Sequence, residues 1–334
     1  MRILSGDIGG TNSRFAVLEA RLDGRLERAR GGLPAQTLPS MLFGSLEDAA
    51  EQFLGDHSIA CDVAAFGVPG PVIEGRCRTT NLPWTVEVRA LESRLGLPVV
   101  LMNDLEAQAL GLPTLDDDEV EVLYAGAPRA GNGCLIAAGT GLGQAGMFWD
   151  GARHIPFATE GGHASFAPRG ALEVDLLRYW AGDDERPVSW ENLVTGGGLC
   201  RLHEFVGFHR GRAPAQEVAL AGPDEKAAVI SRLGLEGSCA SCREALELFI
   251  RLYGAEAGNL ALKTMAVAGV WVGGGIAPKI LPLLLADDAF RTAFVDKGPM
   301  RPLLEAMPIR IVLAGDTALR GAARAAVENA RADG

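Results

Sequence analysis

The sequence predicts an α/β protein made of two related halves, and two observations carry that expectation. Short, wholly apolar runs of strand length alternate with helix-spaced segments through the first hundred residues. The device that opens the chain, a strand, a Gly-Thr turn and a second strand, then recurs near residue 140. A chain of 334 residues that is 48% hydrophobic can bury a large core, and its length favours two domains, placed at 1–106 plus 315–334 and at 107–314.

Arg2 to Gly6 and Arg14 to Glu19 read as paired strands around Gly9-Gly10-Thr11-Asn12. Glycines let backbone N–H groups approach an anion, and Thr11 and Asn12 add side-chain donors, so this turn reads as a phosphate cradle. An ordinary hairpin would explain the Gly and Asn but not Asp7 at the end of a buried strand. An acid beside an anion cradle points to a magnesium ion between them. No Gly-Lys-Ser/Thr follows, so this is not a Walker A loop.

Ser45 to Gly55 has the capping signals of a helix, Val63 to Val68 is a buried strand broken by Pro69-Gly70-Pro71, and a further helix ends near Gly96. Val99 to Met102 is the next strand, and Leu105 to Leu110 resume helical spacing. Asn103 and Asp104 stand at the joint. One of two adjacent capping residues satisfies the helix start, while the crevice beyond the carboxyl ends of such strands is where ligands gather, so cap and site weigh evenly there. Asp116 to Glu119 reads as a solvated loop.

Cys134 to Ala138 runs into Gly139-Thr140-Gly141-Leu142-Gly143. Gly141, Gly143 and Gly146 match the dinucleotide fingerprint, but no helix follows: Ala145 to Trp149 is strand again, so the segment repeats the opening device. Glu160-Gly161-Gly162-His163 places a carboxylate and an imidazole close enough to bind polyol hydroxyls, or is a glycine-rich loop with incidental polar residues. Glu191, near a helix start, is ambiguous in the same way. Arg243 to Ala266 forms one long buried helix, and Val267 to Val272 a strand ending in Gly273-Gly274-Gly275, where a flat ligand can lie against the backbone. In the last helix Asp316 caps, Leu319, Ala322, Ala323, Ala326 and Ala330 form an apolar stripe, and Arg320, Arg324 and Glu328 lie opposite. It is expected to pack on the first lobe.

A net charge of −11 with no basic cluster argues against nucleic acid, and no apolar run reaches the length of a membrane span, so a cytoplasmic protein acting on small solutes is expected. The six cysteines read as free thiols in that compartment. Cys239 and Cys242 form a C-x-x-C that His203 or His209 could complete as a zinc site, but with no second Cys pair the reading goes against a structural metal.

Together, DIGGTNSR from Asp7, GVPGPV from Gly67, LMNDLEAQ from Leu101, AGTGLG from Ala138, EGGHASF from Glu160, WENLVTG from Trp190 and VGGGIAPK from Val272 resemble the bacterial glucokinase family, in order and across nearly the whole chain. The resemblance implies a two-lobed actin-like ATPase (ribonuclease H-like) fold, ATP and Mg2+ as cofactors, glucose as substrate, and a homodimer. Position by position it implies that Asn103, Asp104, Glu160, His163 and Glu191 hold the sugar, with Asp104 as catalytic base. Gly9, Gly10, Thr11 and Asn12 with Gly139, Thr140 and Gly141 would hold the phosphates, Gly6, Asp7 and Ile8 would join the ATP-binding set with Asp7 holding the magnesium through water, and Gly273, Gly274 and Gly275 would back the adenosine. Superfamily relatives place a zinc ligand at a His comparable to His163 beside a dense Cys cluster, which this sequence lacks. The alternatives are a kinase for another hexose and a non-catalytic sugar sensor.

Overall fold

An unbroken apolar run must be covered on both faces, and β5 (Val63–Val68), buried throughout, lies between the parallel strands β1 (Arg2–Ile8) and β8 (Val99–Asn103), the latter at the sheet edge. The sheet continues on the other side of β1 through the antiparallel β2 (Asn12–Ala20), which pairs with both β3 (Leu26–Arg28) and β4 (Gln36–Pro39). A separate hairpin joins β6 (Arg76–Arg78) to β7 (Thr85–Glu87). The computed structural model describes residues 1–21, 26–28, 35–57, 59–79, 82–182 and 185–332. It divides into two compact units, one of Met1–Glu119, Ile155–Ala158 and Ala314–Gly334, the other of Val120–His154 and Thr159–Leu313.

In the first unit one sheet face packs on α1 (Leu46–His57) and α2 (Val88–Leu95), with Phe15, Phe53 and Phe66 at the centre of that layer. Phe15 stacks on Phe53 at 5.6 Å between ring centres. The helix α1 opens as expected, its Asp48 N–H donating to Ser45 Oγ at 3.2 Å, but runs past Gly55 to His57. The opposite sheet face is covered by α3 (Asp104–Gly111) and the C-terminal helix (Thr317–Ala332), whose Ala322, Ala323 and Ala326 pack on Ile3, Ala65 and Met102. Ala330 is exposed, because the helix outruns the sheet there. These two helices cross in backbone contact: a Cβ on Gly321 would fall on the Ala107 carbonyl, and one on Gly111 on the Thr317 carbonyl. The sequence-based division at residue 106 falls inside α3, and this crossing carries the compact unit on to Glu119. Asp116, Asp117 and Asp118 are exposed, as a solvated loop requires, but Glu119 is engaged. Its carboxylate takes both arms of the Arg320 guanidinium at 2.6 and 2.5 Å, and Arg320 also reaches Asp316 at 2.9 Å.

The second unit repeats the pattern. Strand β10 (Gly133–Ala138) is antiparallel to β11 (Leu142–Trp149) and parallel to β13 (Gly269–Gly273), which is parallel to β14 (Ile309–Val312). β12 (His154–Thr159) and β9 (Val120–Tyr124) complete the order β12-β11-β10-β13-β14-β9. The sequence of β2-β1-β5-β8 is thus matched by β11-β10-β13-β14, which is the duplication expected from the repeated hairpins. Around this sheet lie α4 (Gly170–Ala181), α5 (Trp190–Leu193), α6 (Gly196–Arg210), α7 (Gln216–Leu220), α8 (Pro223–Glu236), α9 (Ala240–Thr264), α10 (Leu281–Ala286), α11 (Ala289–Val295) and α12 (Arg301–Glu305). The helix α9 is the pillar of the unit; apolar on most faces, it buries Leu246, Phe249, Tyr253 and Leu260 in one continuous core. Among the described residues no helix is long and apolar enough to cross a membrane.

Candidate active site

Three strands of the first sheet end side by side at their carboxyl edge. Asp7 is in register with Gly67, and Val68 with Asn103, so the polar residues of β1 and β8 flank the Gly67 turn. The first glycine turn is closed by Gly9 N–H donating to Asn12 O at 3.0 Å, and a Cβ on Gly9 would stand 2.7 Å from that same oxygen. Thr11 and Asn12 are exposed at the tip. Gly6 and Ile8 lie within β1: Gly6 makes room for the Phe66 ring and the Ile8 side chain is core, so only their backbone can serve a ligand. Burial pushes the Asp7 carboxyl above its usual range, with Arg14, its cross-strand neighbour, pulling the other way.

Ser40 supports this turn, although no motif surrounds it in the sequence. Its hydroxyl donates to Gly9 O at 2.7 Å and lies 2.9 Å from Ser13 Oγ, while its N–H donates to Thr11 O at 3.0 Å. Arg14 in turn donates to Gly315 O.

At the start of α3 the structure separates the two adjacent polar residues. Asn103 is the cap: its Oδ1 accepts from Leu105 N–H at 2.9 Å and Glu106 N–H at 3.4 Å, and Glu106 accepts the Asn103 N–H at 3.2 Å in return. Its Nδ2 donates to Gly70 O at 3.1 Å, and the residue is only 6% exposed. Asp104 begins the first turn, partly exposed, with Oδ1 accepting from Leu105 N–H at 3.0 Å. Gly67 permits this arrangement, since a Cβ there would be 3.0 Å from Ala107 Cβ and 3.3 Å from Asp104 Cα.

In the second unit Glu160, His163 and Glu191 come together. His163 Nε2 is 4.0 Å from Glu160 and Nδ1 is 3.8 Å from Glu191, with all three side chains partly open to solvent. Glu191 sits in α5, whose Ser189–Asn192 capping box fixes its start. The Glu191 carboxylate also accepts the Leu142 N–H at 3.0 Å, and a Cβ on Gly141 would stand 2.9 Å from it. One residue therefore belongs both to the acid–imidazole cluster and to the second glycine turn. That turn is closed by Gly139 N–H to Gly141 O at 2.9 Å and tied to the start of α6 by Gly196 N–H to Gly139 O at 3.0 Å. Thr140 is exposed at its tip. Gly274 of the third glycine run packs on the Ala138 carbonyl, where no Cβ would fit, and its φ of 81° suits glycine; Gly273 is buried and Gly275 exposed.

Two further supports escaped sequence reading. The fully buried Tyr253 hydroxyl accepts the Ala138 N–H at 3.2 Å and reaches Gly273 O at 3.2 Å and Ile136 O at 3.3 Å, binding the ends of β10 and β13 beneath both glycine runs. Under the Glu160 loop, Gln144 backs Gly161, whose missing Cβ its amide oxygen replaces. Gln144 Nε2 donates to the buried Glu256 at 2.8 Å; Glu256 accepts from Asn259 at 2.9 Å, and Lys297 donates to Asn259 at 2.6 Å and to Ala255 O at 2.9 Å.

Burial lowers the Lys297 amine from 10.5 to about 8, with nearby Arg169 adding to the fall and Glu256, Asp296 and Glu173 opposing it. A folded-state pKa below the unfolded one means that, between about 8 and 10.5, the unfolded chain binds the extra proton, so this group makes stability rise with pH across that window. Lys297→Met should flatten the rise. Urea midpoints of both proteins at the two ends of the window check this, and parallel curves would show that the amine is not buried as described.

The duplicated β2-β1-β5-β8 and β11-β10-β13-β14 topology, each half with a glycine turn after its first strand, is that of a sugar kinase with the actin-like ATPase fold. The Glucokinase family model matches residues 4–329. A glucokinase of Nostoc punctiforme is 35% identical over 96% of this chain and 97% of its own, and one of Chromobacterium violaceum is 39% identical over 96% and 88%. The crystal structure of a glucokinase from an Antarctic psychrotroph superimposes with a TM-score of 0.79 at 31% identity, covering 98% of this chain and 99% of its own. The chain belongs to the glucokinase family.

Proposed function

We propose that this protein transfers the γ-phosphoryl group of ATP to the 6-hydroxyl of D-glucose, in the cytoplasm and as a homodimer. The observation that carries the reading is Glu191, whose carboxylate lies beside His163 and accepts the Leu142 N–H, so that one residue ties the proposed sugar-binding cluster to the second glycine turn. Glucokinase relatives covering nearly the full chain support the choice of glucose.

Phosphoryl transfer asks little covalent work of a protein; it needs positioning and compensation of charge on the phosphoryl oxygens. In this reading the turns Gly9–Asn12 and Gly139–Gly141 hold the phosphates through donors other than the Gly9 and Gly139 N–H groups, which close the turns, and Gly273–Gly275 back the adenosine. Asn103, Asp104, Glu160, His163 and Glu191 hold the sugar, and Asp104 accepts the proton of the attacking hydroxyl. Asp7 would hold Mg2+ through water, and the ion would supply charge neutralisation during the transfer. The donor set suits that ion: Asp7 offers hard carboxylate oxygens to the water shell of a magnesium ion, and its burial disfavours the carboxylate, which Arg14 offsets only in part.

Steady-state rates with a panel of hexoses, using ATP or polyphosphate and coupled ADP or product detection, test the assignment. Glucose with ATP should give the highest kcat/KM; preference for another hexose or for polyphosphate would overturn it. Withholding Mg2+ is expected to abolish turnover, and adding it back should restore it. Persistence of turnover without magnesium would remove Asp7 from the mechanism.

A further inference from the structure

The helices α6 and α9 bring together three metal-ligating side chains that the sugar and phosphate sites do not use. Cys239 is the N-cap of α9, its Sγ accepting the Cys242 N–H at 3.4 Å, and Cys242 lies three residues on, fully buried. His203 comes from the middle of α6 and is 2% exposed. One ring nitrogen of His203 and the two sulfurs all lie within 4.8 Å of one another. His209, the other candidate from sequence, is exposed at the end of α6 and stacks on Phe205 instead.

A second observation points to a ligand. His203 Nε2 is buried and makes no hydrogen bond to the described residues, an imidazole nitrogen left with a ligand position to fill. We propose that His203, Cys239 and Cys242 bind one soft divalent cation, with Zn2+ as the preferred ion, at a site separate from Glu160, His163 and Glu191.

The donor chemistry selects such an ion. Sulfur and imidazole donors suit zinc and disfavour magnesium, which requires oxygen. With Zn–S of about 2.3 Å and Zn–N of about 2.0 Å, tetrahedral edges are about 3.3–3.8 Å, so side-chain rotation of about 1.5 Å or less closes the observed cluster. Binding releases two thiol protons, and the resulting unit of Zn2+ with two thiolates and a neutral imidazole has no net charge, which suits a buried position. A cavity of about 350 Å³ lined by His203, Glu204, Lys226 and Ser241 lies on the His203 side of the cluster. Because Gly196 at the start of α6 holds Gly139, an ion joining α6 to α9 would brace the helix that supports the second glycine turn.

The test uses the full chain, stripped of metal under reducing conditions, reloaded with Zn2+ or Co2+ and desalted. About one ion per chain should be retained, and the Co2+ form should show thiolate-to-metal charge transfer in the near ultraviolet. Cys239→Ser and His203→Gln should lose both signals, whereas Cys61→Ser, in the other unit, should keep them. Retention of no ion by the wild type, or equal retention by the Cys239 and His203 variants, would overturn the site. If those variants fail to fold, the wild type still decides: Zn2+ should protect Cys239 from alkylation, and labelling at the same rate with and without the ion refutes the proposal. Since none of these readouts depends on turnover, failure here and failure of the glucokinase reading are distinguishable.

Discussion

Asp104→Asn is expected to lower turnover by about 10²–10⁴-fold at saturating glucose and MgATP, the range seen when a general base is removed, while glucose affinity changes only modestly. The structure makes this substitution unusually clean. The cap of α3 is Asn103, which holds the Leu105 and Glu106 N–H groups and is itself held by Gly70, so the helix start does not depend on an acid at 104. The amide oxygen of Asn can still accept the Leu105 N–H that Asp104 Oδ1 takes at 3.0 Å. It cannot accept a proton from the sugar hydroxyl. Asn103→Ala is the converse control: it removes the cap and should cost about 0.5–2 kcal/mol of stability, and it should weaken glucose binding while sparing the base. Near wild-type turnover in Asp104→Asn would refute the base assignment and transfer the role to Glu160 or to solvent.

Gly321→Ala is expected to be the most damaging single methyl group in the chain. In an exposed helix the change would be favourable by up to about 1 kcal/mol, because alanine is the better helix former. Here the new Cβ would fall on the Ala107 carbonyl and stand 2.7 Å from Gly111 N, and both obstacles are backbone. Overpacking relieved by rotating a side chain typically costs about 1–3 kcal/mol; with none to rotate, the cost should be about 3 kcal/mol or more, a large share of the ~5–15 kcal/mol that holds most proteins folded. Loss of soluble protein, or a large fall in urea midpoint, checks it. Gly315→Ala is the comparison, since its Cβ would meet only the Arg14 guanidinium, at 3.4 Å, and it should behave almost as wild type. Equal midpoints for the two variants would show that the helices can separate at little cost.

What could be read from the sequence was whatever is encoded locally. The strands Val63–Val68 and Cys134–Ala138 stand out because burial on both faces demands unbroken apolar runs, and the glycine turns because Gly and Thr recur after both; at Gly9 a Cβ would stand 2.7 Å from a backbone oxygen. The leftover side chain at Asn103-Asp104 was visible as a problem, though not which residue caps. The supports were illegible for one physical reason: their partners are far apart along the chain. Tyr253 looks like any core aromatic of a long helix until it meets Ala138, and Glu119 like any loop acid until the C-terminal helix delivers Arg320. Ser40 carries no motif at all, and the choice between His203 and His209 depends on where α9 begins relative to α6.

The C-terminal helix has a bearing on how the protein is made. Ile3, Ala65 and Met102 belong to a core layer that Ala322, Ala323 and Ala326 complete, yet a ribosome releases those residues only after the whole intervening second unit. At about 5–20 residues per second, the apolar face of a nascent first sheet waits ~10–40 s for its cover. During that interval the growing chain offers a ready surface for chaperones or for another nascent copy. Expression at lower temperature, or with more trigger-type chaperone, should therefore raise the soluble yield, and it should do so less for a circular permutant that begins at Ala314 and meets its cover first.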